Sequence, residues 1–170
     1  MTGTPRPTST AVAPVPPGYT SLTPFLCVAD GNAAIDFYTA AFGATVASRM
    51  DTPSGGVAHA ELDFANGRLQ LGEAAEEYGL VAPAVPDQAG EHRATHSVCL
   101  YLPDVDAVTA RAVELGATLR GPPATFVTGD RFASVIDPFG HRWAIMTRVE
   151  EISPEEQERR LAEWAASEQG

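Results

Sequence analysis

The chain has 170 residues, among them 22 carboxylates, 11 arginines and no lysine, for a net charge of −11. Its length and 44% hydrophobic content fit one ordinary globular core, and its acidity excludes a nucleic-acid partner, whose phosphates it would repel. The absence of lysine also excludes Schiff-base chemistry through a side-chain amine. Two cysteines, Cys27 and Cys99, form neither a disulfide framework nor a CxxC pair, so a reduced, cytoplasmic setting is expected. No signal peptide and no membrane span are expected.

Residues 1–20 hold five prolines among small polar residues and read as a flexible tail. The domain is expected over 21–148. It opens with "SLTPFLCVAD", a strand ending in a turn signal, followed by "DGNAAIDFYTAAFGA", a helix with Ile35, Tyr38 and Phe42 on one face and Gly43 as its stop. "VAHAELDF" alternates as a strand, Asn66-Gly67 signals a two-residue hairpin, and "RLQLGE" forms the partner strand. After an acidic linker over 74–95 with two prolines, the grammar repeats over 96–148. "THSVCLYLP" is a strand, "DVDAVTARAVELGA" a helix stopped by Gly116, and "RFASVIDPFGHRWAIMTR" a hairpin turning at Asp137–Gly140.

Gly43 and Gly116 are 73 residues apart, as are Gly67 and Gly140, and "GAT" recurs on the same offset. This marks an internal duplication: two tandem βαβββ modules, 21–73 and 96–148. The acidic tail over 149–170 holds seven Glu against two Arg. It contains a helix with Ser153 as N-cap, Pro154 at the first turn, Glu156 completing a capping box, and Leu161, Trp164 and Ala165 as an apolar edge for docking.

The segments "PFLCVADGNAAIDFYTAAFGA", "HAELDFANGRLQLGE", "YLPDVDAVTARAVELGAT" and "GDRFASVIDPFGHRW" resemble the vicinal oxygen chelate superfamily, which includes glyoxalase I, bleomycin-resistance proteins, fosfomycin-resistance transferases and extradiol dioxygenases. The resemblance implies an α+β fold. Two βαβββ modules would form a cupped, half-open mixed β-barrel with flanking helices, binding its ligand inside, and many activities share that fold. Metal-dependent members place ligands early on the first strand of each module and past the turn of its last strand. Counted from Asp30, Gly67, Asp104 and Gly140, these positions are Thr23, Leu71, Ser97 and Ala144. None carries an imidazole or carboxylate, so no metal and no other cofactor is expected. A one-residue slip would bring in Gln70 and His96, with His96 the best single metal candidate, while Glu73 with His59 and Glu61 would make an unconventional set.

His59, Glu61 and Asp63 share one strand face, either solvated or forming a polar cavity wall; in the second case His59 and Glu61 are candidate acid/base groups. Thr23, Phe25, Cys27, Ser97, Cys99, Tyr101, Arg142, Ala144 and Met146 share the phase of the family's inward positions. Cys27 and Cys99 read as small buried hydrophobes, and the others, with Gln70, Glu73 and Arg131, supply the candidate ligand-binding residues, a lining suited to a flat or apolar organic molecule. Arg131 pairs with an acid across the sheet or holds an anionic group at the cavity mouth. His141 reads as a turn-stabilising residue, and His92 as solvated. The leading expectation is a homodimeric protein that sequesters a small molecule such as an antibiotic. The alternatives are a glyoxalase-like lyase or isomerase, a dioxygenase-related enzyme with an atypical site, and an interaction partner that uses the tail helix.

Overall fold

A computed structural model of the chain describes residues 12–85 and 92–167. Its first module runs β1 (Phe25–Val28), α1 (Gly31–Phe42), β2 (Thr45–Asp51), β3 (Val57–Asp63) and β4 (Arg68–Glu73). After a 3₁₀ turn at Glu76–Tyr78, the second runs β5 (Val98–Tyr101), α2 (Val105–Glu114), β6 (Thr118–Thr125), β7 (Asp130–Ile136) and β8 (Arg142–Arg148). Helix α3 (Pro154–Ser167) follows. Each module folds into a four-stranded mixed sheet, in orders β1-β4-β3-β2 and β5-β8-β7-β6, with β1 parallel to β4 and β5 parallel to β8. The fold is α+β, two βαβββ units in tandem, and the sheets do not close into a barrel. No described helix is long and apolar enough to cross a membrane.

Both crossover helices begin the same way. The carboxylate of Asp30 accepts from the Ala33 amide at 2.9 Å, and that of Asp104 accepts from the Ala107 amide at 3.0 Å, each satisfying an amide that the helix cannot. The next amide at each N-terminus is taken by the end of the module's own last strand. Gly31 donates to Glu73 and Val105 to the Thr147 hydroxyl, at 3.0 and 2.9 Å. Helix α1 ends at Gly43, whose φ of 73° lets its amide turn back to the Thr39 and Tyr38 carbonyls.

Strand alternation then sorts the side chains. Leu26, Val28, Ala60, Leu62, Leu69 and Leu71 face α1, while Ala133, Val135, Trp143 and Ile145 lie on the corresponding face of module two; all are buried. Removing each large aliphatic side chain from water contributes about 1.5–3 kcal/mol. The two helices pack against each other, and the aromatic residues of α1 join the modules. Tyr38 and Phe42 of α1 lie 5.4 and 4.8 Å, centroid to centroid, from Trp143 of β8.

Two details differ from the sequence expectation. The β3–β4 hairpin pairs Asp63 with Arg68, and the left-handed position is taken by Ala65 (φ 73°) rather than by the Asn66-Gly67 pair. The Asp63 carboxylate accepting from the Ala65 amide at 2.7 Å holds that turn, so the loop is four residues long. In α3, Ser153 caps the Glu156 amide at 3.2 Å, but the Glu156 carboxylate accepts from Arg159 and Arg160, so the reciprocal half of the capping box is replaced by a charged staple. Trp164 docks α3 edge-on to Phe126, 5.2 Å away.

Candidate functional site

The sheet faces turned away from the helices are open. In module one that face carries Phe25 and Cys27 from β1, Gln70 from β4, His59 and Glu61 from β3, and Met50 opposite His59 on β2. The rings of Phe25 and His59 lie 6.1 Å apart. His59 Nε2 stands 3.7 Å from Glu61 Oε1, while Glu61 Oε2 accepts from Arg68 at 2.9 Å. The Arg68 guanidinium sits 4.6 Å over the ring of Tyr19, from the segment preceding β1. Hydrogen bonds from the Tyr19 hydroxyl, Ser48 and Arg68 hold the Glu61 carboxyl below its ordinary range. Pro14, Tyr19 and Thr23 line a shallow cleft with Gln70 beside this cluster.

Module two presents a less charged face. Cys99 and Tyr101 of β5 pair with Ala144 and Met146 of β8, which in turn pair with Ser134 and Phe132 of β7. Ser97, just before β5, is exposed. Two candidates point elsewhere. Arg131 makes a two-pronged pair with Asp106 of α2, both contacts at 2.7 Å, and Glu73 accepts from the Gly31 and Val57 amides, each at 3.0 Å.

The register also corrects the counting of the family's metal positions. Leu71 is fully buried against α1, whereas Gln70, paired with Phe25, occupies the place that Ala144, paired with Cys99, holds in module two. The hairpin of module one is one residue shorter before the strand resumes, so counting from the turn glycine overshoots. The four structurally equivalent positions are Thr23, Gln70, Ser97 and Ala144. They offer two hydroxyls, one amide and a methyl group, which does not fit a divalent cation needing several anionic or imidazole ligands. Among the described residues no group of three or more His, Cys, Asp or Glu side chains is placed to hold a metal.

The polar stretch 130–143 resolves into a buried anchor. Asp137 is 1% exposed. Its Oδ2 accepts from the Tyr38 hydroxyl at 2.7 Å and the Trp143 indole at 2.8 Å, and its Oδ1 from the Phe139 and His141 amides at 2.9 and 2.8 Å. Burial, then the neighbouring Asp137 carboxylate, pushes the Tyr38 phenol well above its ordinary value. His141, 3% exposed, reaches from module two to the Cys27 carbonyl of module one, with Nε2 3.0 Å from that oxygen. The carbonyl can only accept, so Nε2 carries the proton and Nδ1 presents a bare lone pair. Beside this contact lies a cavity of about 660 Å³ at the seam between the modules, roofed by Val81–Val85 and 92–95 of the linker and by His96.

The seam was not visible from sequence. It depends on a contact between residues 114 positions apart, and on the linker crossing the Gly140 turn. There an added Cβ would stand 2.6 Å from the Ala84 carbonyl oxygen. The bare glycine of the "PFG" turn was the available signal, though it read equally well as turn chemistry alone.

The family model of the Glyoxalase/Bleomycin resistance protein/Dioxygenase superfamily matches residues 19–145. The chain belongs to that superfamily. An uncharacterized protein of Mycobacterium tuberculosis is 34% identical over 136 residues, 80% of this chain and 79% of that protein. Among solved structures, a glyoxalase/bleomycin resistance protein/dioxygenase from Nocardioides is 26% identical, with a TM-score of 0.55 over 86% of this chain and 91% of that one. TioX from Micromonospora sp. ML1 (23% identity, TM-score 0.58, 76% and 98% covered) and the fosfomycin resistance protein FosX from Listeria monocytogenes (18%, 0.56, 81% and 96%) share the fold.

Proposed function

We propose that this chain is a metal-independent, small-molecule-binding member of its superfamily that acts by sequestering an antibiotic or metabolite. The observation that carries this reading is the donor set Thr23, Gln70, Ser97 and Ala144 at the family's metal positions. The less charged open face of module two, with the polar groups Gln70 and His59 on that of module one, suits a flat organic ligand held by a few polar contacts. A homodimer completes the site, each open face being covered by one from the partner. Elemental analysis of protein purified without chelator tests the proposal, with no stoichiometric transition metal expected. A thermal-shift screen of metabolites and antibiotics then identifies the ligand, because binding at a hundredfold excess over Kd stabilises the fold by about 2.7 kcal/mol.

A second reading, a lyase or isomerase using His59 and Glu61 as acid/base groups, rests on their 3.7 Å approach. The Tyr19 and Arg68 contacts that hold Glu61 ionised make it a weak proton acceptor, which disfavours this reading. Any turnover that survives His59→Ala removes His59 from such a mechanism.

A further inference from the structure

The seam cavity has a charge pattern opposite to that of the protein around it. Three of the chain's four histidines (His92, His96 and His141) and two arginines (Arg93 and Arg142) line it, and no described lining residue is a carboxylate, in a chain with 22 of them. Seven other arginines pair with Asp or Glu, whereas Arg93 and Arg142 have no carboxylate partner among the described residues. Arg142 Nε donates to the Ser134 hydroxyl at 3.2 Å, an interaction that leaves its charge uncompensated. Two buried imidazole nitrogens, Nδ1 of His92 and Nδ1 of His141, have no hydrogen-bond partner among the described residues. Buried polar atoms are nearly always satisfied, so these require a ligand or ordered water. The remaining walls, including Phe25, Val81 and Pro83, are apolar.

We infer that this cavity binds a small organic acid. Its acid group is held by Arg93 and Arg142, with a proton taken up on His141 Nδ1, and its apolar body lies against Phe25, Val81 and Pro83. An anion cannot rest against a bare imidazole lone pair, so occupancy brings a proton to that nitrogen and makes it a charged donor. The titratable and charged groups facing His141 are His92 from the linker, His96 just before β5, Arg142 from β8 and Asp137 in its own turn, with the Cys27 thiol on β1. Burial keeps His141 neutral at pH 7 in the free protein, so the proton is taken up on binding. This deepens the ligand-binding reading above by naming a ligand class, and it rests on that reading.

Benzoate and benzenesulfonate, both fully ionised at pH 7, with benzamide as the uncharged counterpart, serve as probes in isothermal titration calorimetry at pH 7 in two buffers of different ionisation enthalpy. The expected result is binding of at least one acid probe with net proton uptake, and benzamide weaker by about tenfold or more. Arg93→Gln and Arg142→Gln, both at exposed positions, are each expected to weaken acid binding by about tenfold. His141→Gln, provided that its melting transition stays cooperative, is expected to abolish the uptake. Failure of both acids to bind at millimolar concentration, equal binding of benzamide, indifference to both arginine variants, or binding without proton uptake each overturn the inference. Equal binding of benzamide would leave small-molecule binding itself intact, whereas a stoichiometric metal would overturn that broader reading whatever the probes do.

Discussion

Asp137 shows how one side chain can hold two modules together. Four donors converge on its carboxylate, two of them from the buried aromatic side chains Tyr38 and Trp143. Asp137→Ala leaves these donors buried without a partner, and a loss of about 3 kcal/mol is expected in urea unfolding. The same contact predicts an alkaline limit. Because the Tyr38 phenol titrates higher in the fold than in the unfolded chain, its contribution is complete below pH ~10 and declines as pH rises above that value. Tyr38→Phe removes this part of the pH dependence, which chemical denaturation across pH 9–11 measures.

At the scale of elements, the structure shows where local chemistry is decisive and where it is not. Asp30, Gly43 and Asp104 were legible as helix boundaries because each acts on backbone within a few residues of itself. Asn66-Gly67 misled because Ala65, braced by Asp63, took the left-handed position instead. Leu71 misled because the two hairpins differ by one residue, and a single residue of slip exchanges the two faces of a strand. The open faces followed from alternation, but the seam cavity did not, since its roof and floor come from distant segments. Helix α3 offers an independent test. Hydrogen bonds from Arg159 and Arg160 lower the Glu156 carboxyl to about 2. The resulting stabilisation is present above the ordinary value near 4.5 and is lost as pH falls through 2. Amide-exchange protection factors within α3, corrected for the intrinsic pH dependence of exchange, are expected to fall over that interval, and less so in Glu156→Gln, which already lacks the charged staple.

At the scale of the whole molecule, the open faces expose Met50 at 60% and Tyr101 at 55%. Such apolar exposure on a concave sheet is consistent with a covered interface in solution. Sedimentation equilibrium is expected to report a dimer at micromolar concentration, and Met50→Asp with Tyr101→Asp to shift it to monomer. Both changes lie away from the buried core, so the variant is expected to keep its secondary structure by circular dichroism.

The two turn aspartates carry a consequence for ancestry. Asp63 and Asp137 occupy equivalent places in the two hairpins, and each accepts from the amide two residues on, at 2.7 and 2.9 Å. Asp63 stayed at the surface, whereas Asp137 was drawn beneath an aromatic hydroxyl from the other half. The repeats have therefore ceased to be interchangeable. A chain assembled from two copies of either half would lack one member of the Tyr38–Asp137 pair, so what began as a duplication is now a division of labour that neither half can reverse alone.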